Sequence, residues 1–76
     1  MPAPPAHQRI ADDIRARIAS GELAPGAQLP TQREMAQRYH CSLQPVRHAL
    51  IRLEAEGLIE SRQGVGAFVL GRGDEP

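Results

Sequence analysis

The sequence predicts a mostly α-helical domain in which three helices are followed by a small antiparallel β hairpin. Isoleucines recur at every fourth position from Ile10 to Ile18, the marker of a helix with one buried face. Val46, Ala49, Leu50 and Leu53 repeat that stripe with the spacing i, i+3, i+4, i+7, and after Gly57 the pattern shortens to the period of strands. A chain of 76 residues has room for one domain, with a core that supplies about 3 to 5 kcal/mol of net stability. A deep catalytic pocket, and with it an enzyme, is not expected of so small a core.

Residues 1–6, with three prolines and no periodicity, read as a disordered arm. The first helix runs from His7 to Ser20, with Ala11 beside the isoleucine stripe, and Gly21 is placed to end it in a left-handed cap. Ala24-Pro25-Gly26 predicts a type II turn: proline presets φ at the second position and glycine accepts a positive φ at the third. Leu29-Pro30 follows as a short extended piece, because proline disfavours helix in the residue before it. Thr31-Gln32-Arg33-Glu34 fits a capping box and starts a second helix of about two turns, with Met35, Ala36 and Tyr39 as its apolar stripe. Ser42 is the N-cap candidate of the third helix, with Pro45 inside its first turn and Gly57 at its end. Leu58–Arg62 and Ala67–Leu70 flank Gln63-Gly64-Val65-Gly66 as a hairpin. Residues 71–76 are polar and acidic and read as a flexible tail.

Between Tyr39 and Ser42 the connection is very short, which forces the second and third helices to cross steeply in a helix-turn-helix. With the hairpin appended, residues 7–70 are expected to form a winged helix-turn-helix. The charge pattern adds a partner class. The chain is formally neutral, yet residues 31–53 carry four arginines against Glu34 alone, and residues 54–76 carry two arginines against five acids. A basic centre in a neutral domain is a footprint for a polyanion, although ordinary solvated helix faces would have the same composition. Cys41 is the one cysteine, no apolar run reaches the length of a membrane span, and the N-terminus is not a signal peptide, so a cytoplasmic protein without membrane contact is expected. His40-Cys41 with His48 lacks paired ligand spacing and a fourth ligand, so neither a metal nor any other cofactor is expected.

In their order and spacing these stretches closely resemble the GntR-type bacterial transcription regulators. The resemblance is carried by Ile10-Ala11-Asp12-Asp13-Ile14, Gly21–Gly26, Leu29–Ala36, Pro45-Val46-Arg47 with Ala49-Leu50, Leu53–Ile59 and Arg62–Val69, nearly the whole chain. It implies sequence-specific DNA binding, with the recognition helix, about 42–56, in the major groove and the wing, about 58–70, at the minor groove. It also implies that a second copy joins on a palindromic operator. Leu43 departs from the family, many of whose members have a base-reading arginine there; His48 replaces a frequent glutamate, and His40-Cys41 a common Gly-Val. No effector-binding domain follows in this chain, which is therefore either a naturally short regulator or a separated DNA-binding domain.

On this reading the DNA-binding residues are Thr31, Arg33, Ser42, Leu43, Gln44, Arg47, Gln63, Gly64 and Val65. Arg47 shares an exposed helix face with Gln44, His48 and Ile51. An arginine fork can donate to O6 and N7 of guanine together, a glutamine can pair bidentately with adenine, and Leu43 can meet a thymine methyl. Arg33 would face phosphate near Thr31, unless it pairs within its helix to Glu34 or Gln37. The Ser42 hydroxyl is either spent on capping or left to touch phosphate, and Gln63, Gly64 and Val65 form the wing tip. A repressor is favoured over an activator, because an operator-bound dimer blocks polymerase by occupancy alone. The competing reading is a winged-helix protein-interaction module, whose surface would need aromatic anchors; only Tyr39 and Phe68 are available.

Overall fold

A computed structural model describes residues 3–70; the tail 71–76 and the first two residues of the expected arm lie outside the described residues. The order is α1 (Ala6–Ser20), α2 (Gln32–Arg38), α3 (Leu43–Ala55), β1 (Ile59–Arg62) and β2 (Gly66–Val69). Helix α1 starts one residue before the expected boundary, because the Pro5 carbonyl already accepts the N–H groups of Gln8 and Arg9 at 3.0 and 3.1 Å. Its end is as expected: Gly21 is left-handed at φ +89 and donates to the Ile18 carbonyl.

The Pro25-Gly26 turn closes with Ala27 N–H on the Ala24 carbonyl at 2.9 Å, and Gly26 at φ +86 has the positive angle a type II turn needs. Both halves of the α2 capping box form: Thr31 Oγ1 accepts from the Glu34 N–H at 3.1 Å, and Glu34 Oε1 accepts from the Thr31 N–H at 2.8 Å. Ser42 is the N-cap of α3, as expected, and is in extended conformation, but its side chain makes no capping hydrogen bond. The α3 terminus is a complete Schellman motif, in which Gly57 donates to the Glu54 carbonyl at 3.0 Å and Leu58 to that of Leu53 at 3.1 Å.

The expected apolar stripes fill the core. Ile10, Ala11 and Ile14 of α1, Met35 and Ala36 of α2, and Val46, Ala49, Leu50 and Leu53 of α3 are buried, joined by Leu29, Ile59 and Val69. Ile18 and Tyr39 pack against this cluster from its partly buried rim. Truncating a core leucine such as Leu53 costs about 2 to 5 kcal/mol, comparable to the whole stability of a domain this size. Function can therefore be probed only from the surface.

Strands β1 and β2 pair antiparallel with Ile59 opposite Val69 and Arg62 opposite Gly66. The hairpin is one residue tighter at its tip than the sequence suggested: Gly66, at φ +138, belongs to β2, and Gln63-Gly64-Val65 make the turn. A third extended segment, unforeseen as a sheet member, borders β2 on its other edge. Leu29 N–H donates to the Ala67 carbonyl, and Val69 N–H to that of Ala27, both at 2.8 Å. The Leu29-Pro30 piece thus ties the wing to the start of α2.

Candidate nucleic-acid interface

Helix α3 is the third of the helices and stands with its apolar stripe inward, which decides what it offers outward. Val46, Ala49, Leu50 and Leu53 are buried, and Leu43, Gln44, Arg47, His48 and Ile51 are exposed. Leu43 and Ile51 are large apolar side chains left in solvent, 38% and 62% exposed. At the head of the helix the Ser42 hydroxyl is exposed and takes no part in capping, so it is available to an external acceptor.

A groove of about 490 Å³ runs between the start of α2 and the wing. Thr31 and Gln32 line one side, Gln63, Gly64 and Val65 the other, and Leu50 lies between them. Val65 is 59% exposed at the wing tip, and Gly64 holds φ +79 there, an angle that glycine adopts without strain. The structure thus brings Thr31 together with the three wing residues. Ser42, Leu43, Gln44 and Arg47 lie outside the groove, on the outward side of the neighbouring helix α3.

Ion pairing sorts the arginines into two groups. On α1, Arg15 makes a bidentate pair with Glu56 at 3.0 and 2.9 Å and a third bond to Asp12 at 2.6 Å. Arg17 is held by Asp13 at 3.1 Å and by Glu22. Arg52 leans on Glu56 at 3.7 Å, and Arg62 on Glu60 at 3.3 Å. Among the described residues, Arg9, Arg33, Arg38 and Arg47 have no ion pair in the structure. The intrahelical alternative for Arg33 is not formed, because the Glu34 carboxylate reaches back to the Thr31 N–H. Asp12 and Asp13 of α1 and Glu56 at the α3 terminus are thus engaged by arginines, and the arginines left without an acid belong to α2, α3 and the head of α1.

Two groups fix how the helix-turn-helix sits on α1. Tyr39, the C-cap of α2, donates its hydroxyl to Asp13 Oδ2 at 2.7 Å. That hydrogen bond holds the Asp13 carboxyl below the usual carboxylate range, while burial, with Asp13 alongside, pushes the Tyr39 phenol up to about 12. At the other end, His7 of α1 stacks on His48 of α3 with ring centroids 4.1 Å apart, and His7 Nδ1 is buried without a partner. Two turns further along both helices Arg15 meets Glu56, so these helix edges run side by side.

Sequence reasoning did not single out Gln28 and Gln32, whose side chains line the groove, or the contact that His7 makes with His48. Gln28 and Gln32 lie on an irregular link and a first helical turn, where no periodic pattern exists to single them out. The stack of His7 on His48 joins positions 41 residues apart in the chain, and pairing at that separation leaves no local signal.

Comparison with known proteins agrees with this geometry. Residues 6–69 match the family model described as bacterial regulatory proteins, gntR family. The chain is 43% identical over 65 residues to the mannosyl-D-glycerate transport/metabolism system repressor MngR of Escherichia coli K12, covering 86% of this chain and 27% of MngR. It is 38% identical, with the same coverage, to the HTH-type transcriptional repressor NagR of Bacillus subtilis. It thus spans about a quarter of the length of these relatives. Among solved structures, AraR(DBD) in complex with operator ORX1 superposes with TM-score 0.85 at 31% identity, covering 88% of this chain and 81% of that one. YtrA of Sulfolobus acidocaldarius, a GntR-family transcription factor, superposes with TM-score 0.84 at 35% identity, covering 93% and 74%. With the family model matched across nearly the whole described chain, on a fold of three helices and a wing, the protein belongs to the gntR family of bacterial regulatory proteins.

Proposed function

We propose that this domain binds duplex DNA sequence-specifically in transcriptional control, with α3 in the major groove and the β1–β2 wing at the minor groove. The observation that carries the reading is the sorting of charge: Arg33 and Arg47 stand exposed without an internal ion pair, one on each helix of the helix-turn-helix, while the arginines of α1 that face acids are bound to them. Arg47 and Gln44 read base edges, Leu43 meets a thymine methyl, and Thr31, Arg33 and Ser42 set the position along the phosphates. Gln63, Gly64 and Val65 approach the minor groove. Two copies share a palindromic operator, and repression by occupancy is the favoured outcome, in line with relatives named as repressors. The protein works in the cytoplasm, at the nucleoid when bound; among the described residues no helix is long and apolar enough to cross a membrane.

The competing reading, a protein-interaction module, loses its anchors. Tyr39 is half-buried and spends its hydroxyl on Asp13, and Phe68 is half-buried beneath the Arg62 guanidinium, 4.9 Å from the ring centroid. Neither offers the exposed aromatic patch on which such interfaces concentrate their energy. Selection of bound sequences from a random duplex pool tests the proposal directly. A palindromic consensus is expected, with a guanine at matching positions of the two halves; recovery of unenriched sequence at physiological ionic strength, where non-specific binding is weak, would overturn it.

A further inference from the structure

Gln28 has no part in the residue set that contacts DNA, yet it lies where two DNA-facing elements meet. The segment before α2 runs antiparallel to β2, with Gln28 opposite Phe68 and Leu29 N–H on the Ala67 carbonyl. Continued in register, this ladder would next bring Thr31 opposite Val65. That rung cannot form. The Thr31 N–H is engaged by Glu34 Oε1 in the capping box, and Pro30 turns the chain away. The Gln28 side chain supplies the missing donor instead: its Nε2 donates to the Val65 carbonyl at 3.0 Å. To reach it, the amide crosses the face of Gly66, where a Cβ would come within 2.7 Å of Gln28 Nε2. Gly66 therefore leaves both the φ of +138 and the space that the crossing amide uses.

We propose that Gln28 is a positioning residue for the wing, a strap that fixes the height of the tip Gln63-Gly64-Val65 against the start of α2 and so presents the tip to the minor groove. The inference rests on the DNA-binding reading for its consequence, but the strap itself is a property of the free protein. Beyond the Arg62–Gly66 pair of the ladder, the backbone closes the turn with Val65 N–H on the Arg62 carbonyl; any freedom left in such a tip must be lost on DNA, at a cost in affinity that a preformed strap saves. Gln28 is exposed, so its loss leaves the core untouched.

The test uses Gln28→Met, which keeps length and neutrality and removes the donor, in the full chain. In the free protein, backbone amide relaxation is expected to show faster motion at residues 63–66 and unchanged motion in α3, with a melting temperature lowered by at most the few degrees that one exposed hydrogen bond commands. On the selected operator, hydroxyl-radical protection in the minor groove under the wing is expected to fade, while methylation protection of the major-groove guanine persists. Affinity falls about three- to tenfold, the range one hydrogen bond commands. Gly66→Ala, which drives the amide off its path and also strains the backbone at φ +138, reproduces the lost protection, and the double variant is no worse than Gly66→Ala alone. Unchanged relaxation at residues 63–66 overturns the strap whatever the DNA result. Increased motion with unchanged minor-groove protection overturns its role in presenting the wing. Equal loss in both grooves would assign Gln28 to general stability and overturn the proposal as well. If the wild type itself protects no DNA, the DNA-binding reading fails, while the relaxation result still decides whether the strap exists.

Discussion

His40 is the one non-glycine residue with positive φ among the described residues, at +55 in the turn between α2 and α3. Its N–H donates to the Gln37 carbonyl at 3.3 Å, and Cys41 donates to that of Ala36 at 2.9 Å, so His40 occupies the left-handed position of a Schellman motif ending α2. An L-residue in that region is strained by roughly 1 to 2 kcal/mol. Glycine relieves the strain but gives the unfolded chain more freedom, at a cost of about 0.4 to 1 kcal/mol. The His40 side chain is exposed and makes no hydrogen bond in the structure, so little else is lost. His40→Gly is therefore expected to stabilise the domain by about 0.5 to 1 kcal/mol, raising the melting temperature by roughly 2 to 8 °C. His40→Val, β-branched at the same φ, is expected to lower stability by about 1 kcal/mol or more. Thermal unfolding followed by circular dichroism separates the three proteins. A glycine variant melting below wild type, or a valine variant melting with it, would refute the assignment of strain to this turn.

Two other expectations concern charge. Log K for operator binding should fall linearly with log salt, by about 0.9 for each phosphate neutralised, and a near-flat titration would contradict phosphate contact by Arg33 and its neighbours. The Tyr39 phenol, raised from 10.0 to about 12, favours folding below pH 10 and loses that contribution as pH climbs from 10 to about 12, a change that solvent screening of this half-buried group keeps below about 2 to 3 kcal/mol. Asp13, whose folded carboxyl lies below 3.8, acts on the opposite limb: its contribution is present above about pH 4 and is lost as pH falls through the lower folded value. Tyr39→Phe should therefore flatten the alkaline limb and bring acid unfolding to higher pH, both read from stability measured across pH; unchanged limbs would remove the Tyr39–Asp13 bond from the fold's stability.

The helices and the hairpin were legible because each rests on a local pattern. The i, i+3, i+4, i+7 stripe names the buried face of α3 residue by residue, and the Thr31–Glu34 spacing predicts two hydrogen bonds that both form. What escaped is non-local. The pairing of residues 26–29 with β2, the stack of His7 on His48 and the reach of Gln28 to Val65 join segments far apart in sequence and belong to no periodic element. Ser42 shows a different gap. Its residue type favours capping, and its backbone takes the cap conformation, yet the hydroxyl is not used, because propensity states what a side chain can do and not which partner it meets. The free arginines were legible as a regional excess of charge, but only the structure shows that Glu34 is engaged elsewhere and leaves Arg33 unpaired.

The reading of α3 turns on Arg47, exposed on the helix face opposite the Val46, Leu50 and Leu53 stripe and without an ion pair in the structure. Arg47→Ala keeps helix propensity and leaves the core face intact, so the fold should be unchanged. The decisive measurement is the affinity of wild type and Arg47→Ala for three duplexes: the selected operator, the operator with its matching guanine replaced, and unrelated DNA. A base-reading arginine gives a loss of about 1 to 3 kcal/mol on the operator, little further loss when the guanine is replaced, and a small change on unrelated DNA. Uniform weakening on all three duplexes would make Arg47 a phosphate contact, and no change on any of them would remove Arg47 from the interface and contradict the account.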